Sequence, residues 1–331
     1  MNWKNQIWIV AEHREGILAA VSLEILGKAC HLARQAGKTA VGVVLGKNVD
    51  GPAQELVNHG AHLVFQLETQ DSPYYQEELA VHILARLAGD QRPEIILLPS
   101  SSLGQELAAG LAARLETGLA SHCVDLAINE EGILEQFIPA YGGIGKISCP
   151  VKRPQMATIG PGVFPRPAPI SDPQGLILRI PVQEEEPLRA KTLSLQLDPP
   201  RGKPLEEARA VVAGGAGIAG PGDWQLIEEL ALLLDGAVGA TRPPVDEGWV
   251  KEELMIGQSG RTVQPDFYLG IGISGELQHT VGIERAKMIV SINNDPRAHI
   301  FDQSDYGIVA DYREILPLLL AKIREKKKGL S

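Results

Sequence analysis

Short apolar runs alternate with longer amphipathic segments through the N-terminal third of the chain. The short runs consist of β-branched and aliphatic residues, whereas the longer segments repeat apolar residues at helical spacing. Gly37 follows the first amphipathic segment and is a typical helix stop. The pattern predicts strands at 7–11, 39–45, 61–66 and 94–98 and helices at 19–36, 51–59, 75–87 and about 101–115. We therefore expect a mainly parallel sheet with helices on its faces, whose strand at 94–98 is buried on both sides.

The pattern changes after Gly118. Residues 121–149 are typical of strands and hairpins, and residues 150–204 contain 12 of the 23 prolines. Proline lacks the backbone donor and clashes with the preceding helical turn, so helices are excluded over most of this stretch. We expect edge strands there, followed by a proline-rich connection between domains.

A second alternating pattern follows Pro204. It predicts strands at 208–213, 267–269, 288–292 and 306–310 and helices at about 223–234 and from about 276. The predicted fold class is therefore α/β, with an N-terminal parallel-sheet α/β domain at 1–203 and a C-terminal doubly wound α/β domain at 204–331. A length of 331 residues is sufficient for two such domains.

Composition and charge narrow the possible partners. The formal net charge is −10 and aromatic residues are 5%, so nucleic acid and anionic membranes are not expected as partners. Cys30, Cys123 and Cys149 lie far apart, without the spacing of a disulfide framework, a zinc site or an iron–sulfur site. No apolar stretch has the length that membrane insertion requires. The N-terminus is interpreted as a first strand rather than a signal peptide, and we expect a cytoplasmic protein.

Two hydroxyl side chains follow the predicted strand at 94–98. Ser101 or Ser102 precedes a helical pattern, where a hydroxyl either caps the helix or binds a phosphate or a sugar. No basic residue stands beside them, which favours the helix cap.

Glycine is enriched, with 35 residues, and 15 of these lie between Gly214 and Gly307. Two stretches match the pattern GxGxxG, the first with Gly215, Gly217 and Gly220 and the second with Gly270, Gly272 and Gly275. Each follows a predicted strand and precedes a predicted helix, where backbone amides can bind a pyrophosphate. The pattern alone is equally compatible with tight turns.

The residues around the second match carry a longer and more specific signal. This part of the chain resembles the C-terminal FAD domain of the electron transfer flavoprotein alpha-subunit (FixB) family in three segments: GATRPPVDEGW, GQSGRTVQPDFYLG and GISGELQHTVGIERAKMIVSINNDPRAHIFDQSDYGIVAD. The resemblance covers at least residues 205–331 and runs almost without a gap from Phe267 to Pro317. It implies that the C-terminal domain binds FAD and that the chain pairs with a beta subunit.

The resemblance also implies roles for residues around the flavin ring. Arg242 matches an arginine over the isoalloxazine ring, where a guanidinium favours the electron-rich reduced forms and raises the potential. Ser259 matches a hydroxyl that hydrogen-bonds flavin N5. His279 matches a histidine near the C2 carbonyl, which would stabilise negative charge at N1 and O2; an isolated histidine would more often be structural. Further contacts to the cofactor are expected from Gln258, Gly260 and Gln278.

A second group of residues is expected at the phosphates and the adenosine. Ser274, with the amides of Gly272 and Gly275, is expected to bind the pyrophosphate, supported by Thr241 and by the loop that contains Gly217. Asn293 and Asp311 match positions on the adenosine side. Both have structural alternatives, because Asn293 stands in a turn sequence before Pro296 and Asp311 is placed to cap the last helix.

One position departs from the family pattern. The first glycine-rich loop of the family usually reads GGRG, and Ala216 stands here in place of the arginine that approaches the FAD phosphates. We expect weaker retention of FAD or a substitute cation elsewhere in the chain.

The leading functional hypothesis is an electron carrier with one FAD in this chain and AMP or a second FAD in the beta subunit. The electron donor would be a flavin dehydrogenase, typically an acyl-CoA dehydrogenase of fatty acid beta-oxidation, and the acceptor a quinone oxidoreductase. In the bifurcating mode, NADH would be oxidised while ferredoxin and an enoyl-CoA are reduced. Two other classes stay open: an NAD(P)-dependent dehydrogenase, with Asp295 as the acidic residue beyond Gly275, and a non-catalytic nucleotide-binding domain.

Overall fold

The computed structural model describes residues 4–69, 76–140, 143–182, 192, 204, 205 and 208–328. The chain divides into two compact units, Met1–Gln196 and Leu197–Ser331. Tyr75, where one predicted helix begins, and residue 203, where the predicted N-terminal domain ends, lie outside the described residues. No helix of the described part has the length and apolar character that a membrane span requires.

The N-terminal unit follows the predicted alternation of strands and helices. Its described elements are β1 (Lys4–Ala11), β2 (His13–Arg14), β3 (Ile17–Leu18), α1 (Ala20–Ala36), β4 (Thr39–Gly46), α2 (Asp50–Asn58), β5 (Leu63–Glu68), α3 (Glu77–Gln91), β6 (Pro93–Pro99), α4 (Ser102–Arg114), β7 (Leu119–Cys123), β8 (Asp125–Ile128), β9 (Leu134–Ala140), β10 (Gly143–Ser148), β11 (Gln155–Ile159) and β12 (Leu176–Pro181).

Seven of these strands form a parallel sheet in the order β12-β5-β4-β1-β6-β11-β7, and β10-β9-β8 form an antiparallel sheet. Successive residues of β1 point to opposite faces: Ile7 and Ile9 pack with α1 and α2, whereas Trp8 and Val10 pack with α3 and α4. Ile95–Leu98 of β6 are fully buried, so the expected burial on both faces is confirmed.

Two helix boundaries have the predicted chemistry. Gly37 takes a φ of 62° after α1 and its amide donates to Ala33 O, as expected of a helix stop. Ser101 caps α4, because its Oγ accepts the Gly104 amide at 2.9 Å. The same hydroxyl donates to the carboxylate of Glu12, which disfavours an anion at this position.

The proline-rich stretch differs from the expectation at one strand. β12 is an edge strand, as predicted, but β11 lies between β6 and β7 in the interior of the sheet. The prediction of edge strands was wrong for β11 because its five residues, QMATI, contain no proline and are all buried. The neighbouring Pro154 and Pro161 lie outside the strand, where they interrupt no ladder hydrogen bond.

The C-terminal unit contains a smaller parallel sheet. Its described elements are β13 (Ala210–Gly214), α5 (Trp224–Leu233), β14 (Ala237–Ala240), α6 (Arg242–Asp246), β15 (Phe267–Ile271), α7 (Leu277–Thr280), β16 (Ile289–Asn293), β17 (Tyr306–Val309) and α8 (Tyr312–Lys328), with short 3-10 turns at Glu252–Leu254 and His299–Gln303. The helix expected from about residue 276 is only four residues long. The sequence pattern did not indicate β14 or α6.

The five strands are parallel and lie in the order β14-β13-β15-β16-β17. α5 and α8 cover one face, where Ile227, Leu230 and Leu316 belong to the same apolar core. On the other face, Tyr268 of β15 packs with Ile256 of a largely irregular segment. Both faces are therefore covered, which confirms the predicted α/β class with two parallel sheets.

Candidate functional site

The strand order of the C-terminal unit identifies one edge of the sheet as a ligand site. From β13 the chain passes outward to β14 and then crosses back to β15 on the other side of β13. Ligands of open parallel sheets bind at the carboxyl ends of the two strands where the order reverses. β13 ends at Gly214 and β15 at Ile271, so both glycine-rich loops begin at this reversal point.

The two glycine-rich loops contact each other through their backbones. The Gly215 amide donates to Ile271 O at 2.9 Å, and the Gly217 amide donates to Gly272 O at 2.9 Å. A Cβ on Gly215 would lie 2.4 Å from Gly272 O, and Gly272 itself has a φ of 62°. Glycine is therefore required here because any side chain would separate the loops.

This packing changes the expected role of two amides. The amides of Gly217 and Gly272 donate to Gly272 O and Ile292 O, so both are already paired within the unit. Among the described residues, the amides of Ala216 and Gly275 have no acceptor. These two amides, rather than those of Gly217 and Gly272, are free to bind an anion in this structure.

The GQSG segment lies at the carboxyl end of β14, beside α7. The Ile256 amide donates to Ala240 O at 2.8 Å, and the Gln258 amide donates to Gln278 O at 2.7 Å. The Gly260 amide donates to Gly257 O at 3.0 Å and closes the turn. The segment is therefore held against both β14 and α7.

Thr241 and Arg242 continue β14 at the same edge. Thr241 is buried, and its amide donates to Gly214 O at 3.0 Å, which joins the end of β14 to the first glycine-rich loop. Arg242 begins α6 and is exposed; its Nε donates to Asp246 Oδ2 at 3.2 Å. The guanidinium thus keeps most of its donors available for a ligand.

Four exposed polar side chains at this edge make no hydrogen bond with the described residues: Gln258, Ser259, Ser274 and Gln278. These four side chains and the unpaired backbone amides offer neutral hydrogen-bond donors and acceptors, and Arg242 adds one positive charge. Such a set fits a flavin dinucleotide, whose ring offers both donors and acceptors and whose diphosphate is anionic.

His279 is oriented into the core of the unit. Its Nδ1 lies 2.9 Å from Ile256 O and its Nε2 lies 2.8 Å from the Tyr268 hydroxyl, and the residue is 6% exposed. A carbonyl only accepts, so Nδ1 carries the proton and Nε2 accepts from Tyr268. Burial lowers the pKa of His279 below its ordinary value, against the opposing effect of the Ile256 hydrogen bond. This arrangement differs from the expected donor role toward a flavin, because both ring nitrogens are paired internally.

Asn293 and Asp311 make the contacts of their structural alternatives. The Asn293 side chain donates to Ile273 O at 2.8 Å and accepts the Asp295 amide at 2.9 Å. Asp311 accepts the Arg313 amide at 2.9 Å at the start of α8. Both residues lie at the carboxyl ends of their strands, but their side chains stabilise a turn and a helix start.

Sequence reasoning missed two tyrosines: Tyr312, which contacts the first glycine-rich loop at this edge, and Tyr268, which lies in the core of the unit. The Tyr312 hydroxyl donates to Asp223 and accepts the Ala219 amide, and Tyr268 donates to His279. Ala219 and Tyr312 are 93 positions apart. No local pattern relates residues at that separation.

Comparison with known proteins agrees with this geometry. A family model for the electron transfer flavoprotein domain matches residues 7–185. A second model, for the electron transfer flavoprotein FAD-binding domain, matches residues 204–284. The second match contains both glycine-rich loops and the GQSG segment.

Curated relatives match almost the whole chain. The electron transfer flavoprotein subunit alpha of Thermoanaerobacterium thermosaccharolyticum is 40% identical over 330 residues, covering 99% of this chain and 100% of that protein. Protein FixB of Clostridium saccharobutylicum is 36% identical, with 96% of each chain covered. The LctC subunit of the Acetobacterium woodii lactate dehydrogenase (NAD(+),ferredoxin) is 33% identical over 96% of this chain and 76% of that subunit. The chain therefore belongs to the electron transfer flavoprotein alpha-subunit family.

Proposed function

We propose that this chain binds one FAD at the carboxyl edge of its five-stranded sheet and, paired with a beta subunit, carries electrons from a flavin dehydrogenase to a downstream acceptor. The observation that carries the proposal is the meeting of both glycine-rich loops, the GQSG segment and Arg242 at the reversal point of the strand order. That edge lies within the segment matched by the FAD-binding family model.

FAD supplies reversible electron chemistry that amino-acid side chains do not offer. The chain's own residues would bind and orient it. The Arg242 guanidinium would face the ring, the Ser259 hydroxyl would donate to a ring nitrogen, and Gln258 and Gln278 would add neutral hydrogen bonds. Ser274 and the unpaired amides of Ala216 and Gly275 would hold the diphosphate.

The experiment is to purify the chain with its beta subunit and measure the flavin content and the visible spectrum during stepwise reduction. We expect a yellow heterodimer with FAD in the alpha subunit. One flavin that NADH does not reduce would indicate the simple carrier, with AMP in the beta subunit and a quinone oxidoreductase as acceptor. A colourless heterodimer would contradict the proposal.

The second mode is electron bifurcation, with a second FAD in the beta subunit. It is motivated by the A. woodii relative, whose name includes NAD⁺ and ferredoxin. Two flavins per heterodimer, both reduced by NADH, would assign this chain to that mode. The acyl-CoA dehydrogenase partner, the role in fatty acid oxidation and the cytoplasmic location stay predictions.

Membership of the family argues against the two other classes considered from the sequence. An NAD(P)-dependent dehydrogenase would use Asp295 to bind a ribose hydroxyl. In this structure the Asp295 carboxylate accepts the Arg297 amide at 2.9 Å in the turn after β16. The carboxylate therefore already has a local partner, and the carrier is the better-supported function.

Replacing Arg242 with alanine is expected to lower the midpoint potential of bound FAD by about 50 mV, roughly 1 kcal/mol for one electron, because a fixed cation beside the ring stabilises added negative charge. A spectroelectrochemical titration measures the shift. Arg297→Ala is the matched control, since Arg297 is 91% exposed and lies on the turn after β16. Equal shifts in the two variants would refute the assigned role of Arg242.

Replacing Ala216 with arginine is expected to tighten FAD binding about fivefold at low ionic strength, with a smaller gain at high salt. Ala216 is exposed in the first glycine-rich loop, so a long side chain can extend from it toward the diphosphate. The dissociation constant is measured by flavin fluorescence. Leu318→Arg adds the same charge at an exposed position of α8 and should leave FAD affinity unchanged.

A further inference from the structure

The first glycine-rich loop, residues 214–222, is held at two separate places. Five of its nine positions are glycine, so the loop loses much conformational entropy when it becomes ordered. The Gly215 and Gly217 amides fix its first half against the end of β15. Ile218 is 1% exposed and anchors the middle of the loop in the core.

The second half is held by a side chain from the far end of the unit. The Tyr312 hydroxyl accepts the Ala219 amide at 3.1 Å and donates to the Asp223 carboxylate. Arg313 Nε donates to the same carboxylate oxygen at 3.1 Å. The Tyr312 hydroxyl therefore uses its proton and a lone pair at once, and a donor bound to a carboxylate becomes a stronger acceptor.

The topology explains why these residues meet. α5 and α8 each follow a strand at the carboxyl edge of the sheet and pack on the same face. Their first residues therefore lie side by side at the edge where both glycine-rich loops begin. Tyr312 is the first residue of α8 and is 8% exposed, so its ring is fixed by packing.

The charges of Asp223, Tyr312 and Arg313 are compatible with a diphosphate beside them. Hydrogen bonds from Tyr312 and Arg313 hold the pKa of Asp223 below its usual range, so it remains a carboxylate. A bare carboxylate beside a diphosphate would repel it, and Arg313 offsets that charge. Burial and the Asp223 carboxylate raise the pKa of Tyr312, so its hydroxyl remains a donor.

We propose that Tyr312 is a positioning residue for the diphosphate of the bound dinucleotide. Its hydroxyl fixes Ala219 and with it the adjacent Gly220, while the contacts of Gly215 and Gly217 fix the first half of the loop. Among the described residues, the amides of Ala216 and Gly220 in this loop have no acceptor and are free for the phosphates. The inference rests on the proposed function, since it concerns how the FAD site is ordered.

The test compares Tyr312→Phe with Tyr306→Phe in the full chain paired with its beta subunit. Tyr312→Phe keeps the buried ring and removes the hydroxyl. Tyr306 lies in β17, is 64% exposed, and its hydroxyl has no partner among the described residues, so it is the matched control. The readouts are amide hydrogen exchange at Ala219 without flavin, the dissociation constants of FAD and ADP, and the midpoint potential of bound FAD.

Tyr312→Phe is expected to speed exchange at Ala219 and to weaken FAD and ADP by the same factor, about tenfold. The midpoint potential of bound FAD should stay at the wild-type value, because the substitution does not change the residues expected to contact the flavin ring. Tyr306→Phe should match wild type in every readout. A general loss of structure would instead change the potential together with the affinity.

Unchanged FAD affinity in Tyr312→Phe would overturn the inference, as would unchanged exchange at Ala219 or a shifted potential. Failure of the proposed function has a different signature, because the wild-type heterodimer would then bind no FAD. The two failures are therefore distinguished by the wild-type protein alone.

Discussion

Replacing Gly275 with alanine is expected to lower the free energy of unfolding of the C-terminal unit by about 3 kcal/mol or more. Gly275 has a φ of 91°, a conformation that L residues rarely adopt. A Cβ there would lie 2.0 Å from the Ile300 nitrogen, and the Ile300 amide donates to Ser274 O at 2.9 Å. Alanine would therefore displace the His299–Gln303 turn and move Ser274 with it, so FAD affinity should fall as well.

The free energy of unfolding is measured by urea unfolding of the full chain. Alanine variants at two other glycines show how much of the cost comes from backbone strain and how much from the steric clash. Gly248 has a φ of 71° with open space around it, so Gly248→Ala should cost about 1 kcal/mol through backbone strain alone. Gly222 has open space and no such φ, so Gly222→Ala should change stability by less than about 1 kcal/mol. If Gly275→Ala costs no more than Gly248→Ala, the clash with Ile300 is not important.

Replacing His279 with alanine is expected to cost about 3 kcal/mol of unfolding free energy at pH 7.5. The change leaves the Tyr268 hydroxyl and Ile256 O without their partner in the core. Tyr268 is 0% exposed, so water does not replace the lost acceptor without rearrangement. The double variant with Tyr268→Phe should cost less than the sum of the single changes, because it removes both polar groups together.

The loss of unfolding free energy caused by His279→Ala should also depend on pH and should be smaller at low pH. Burial lowers the pKa of His279, so the folded state keeps the ring neutral. Below about pH 6.5 the unfolded chain binds a proton there that the folded chain does not, so the wild type loses stability as the pH falls. The His279→Ala variant has no histidine at this position and does not lose this stability. The difference in unfolding free energy between wild type and variant should therefore shrink by about 1 kcal/mol when the pH falls from 7.5 to 5.5.

His299→Ala is the control for this pH dependence. His299 is exposed in the same unit, and its Nδ1 lies 3.3 Å from Asp302 Oδ2 at the surface. Its replacement should not reproduce the change between the two pH values. A constant difference between wild type and His279→Ala across this range would show that His279 is not held neutral in the core.

Much of the fold could be predicted from local pattern. The alternation of strands and helices, the stop at Gly37, the cap at Ser101 and the buried strand β6 depend on periodicity and on residues close in sequence. β14 was missed because its four residues, AVGA, have no periodicity of their own. The interior position of β11 was missed because strand order depends on pairing with β6 and β7, which are distant in the chain.

In the candidate site, too, the sequence predicted some features, whereas others depend on contacts between distant residues. The motif residues that belong to short continuous segments, such as Ser259 in GQSG and Ser274 in GIGISG, lie exposed at the carboxyl edge. The side chains of His279 and Asn293 belong to equally specific segments, but they are paired inside the unit. A motif identifies a position, whereas the direction of its side chain depends on partners that come from other strands.

The sequence by itself determined the class of this protein: two parallel α/β units, glycine-rich loops at strand ends, and membership of a flavoprotein family. The α/β class follows from periodicity, whereas membership of the family follows from long continuous motifs that resemble those of its members. Only the tertiary structure decided which polar groups are free for a cofactor, because the hydrogen bonds between Ile256 and His279 and between Ala219 and Tyr312 join residues far apart in the chain. Polar groups become buried and hydrogen-bonded when strands and loops from distant parts of the chain come into contact at the edge of the sheet. No local sequence pattern specifies those contacts.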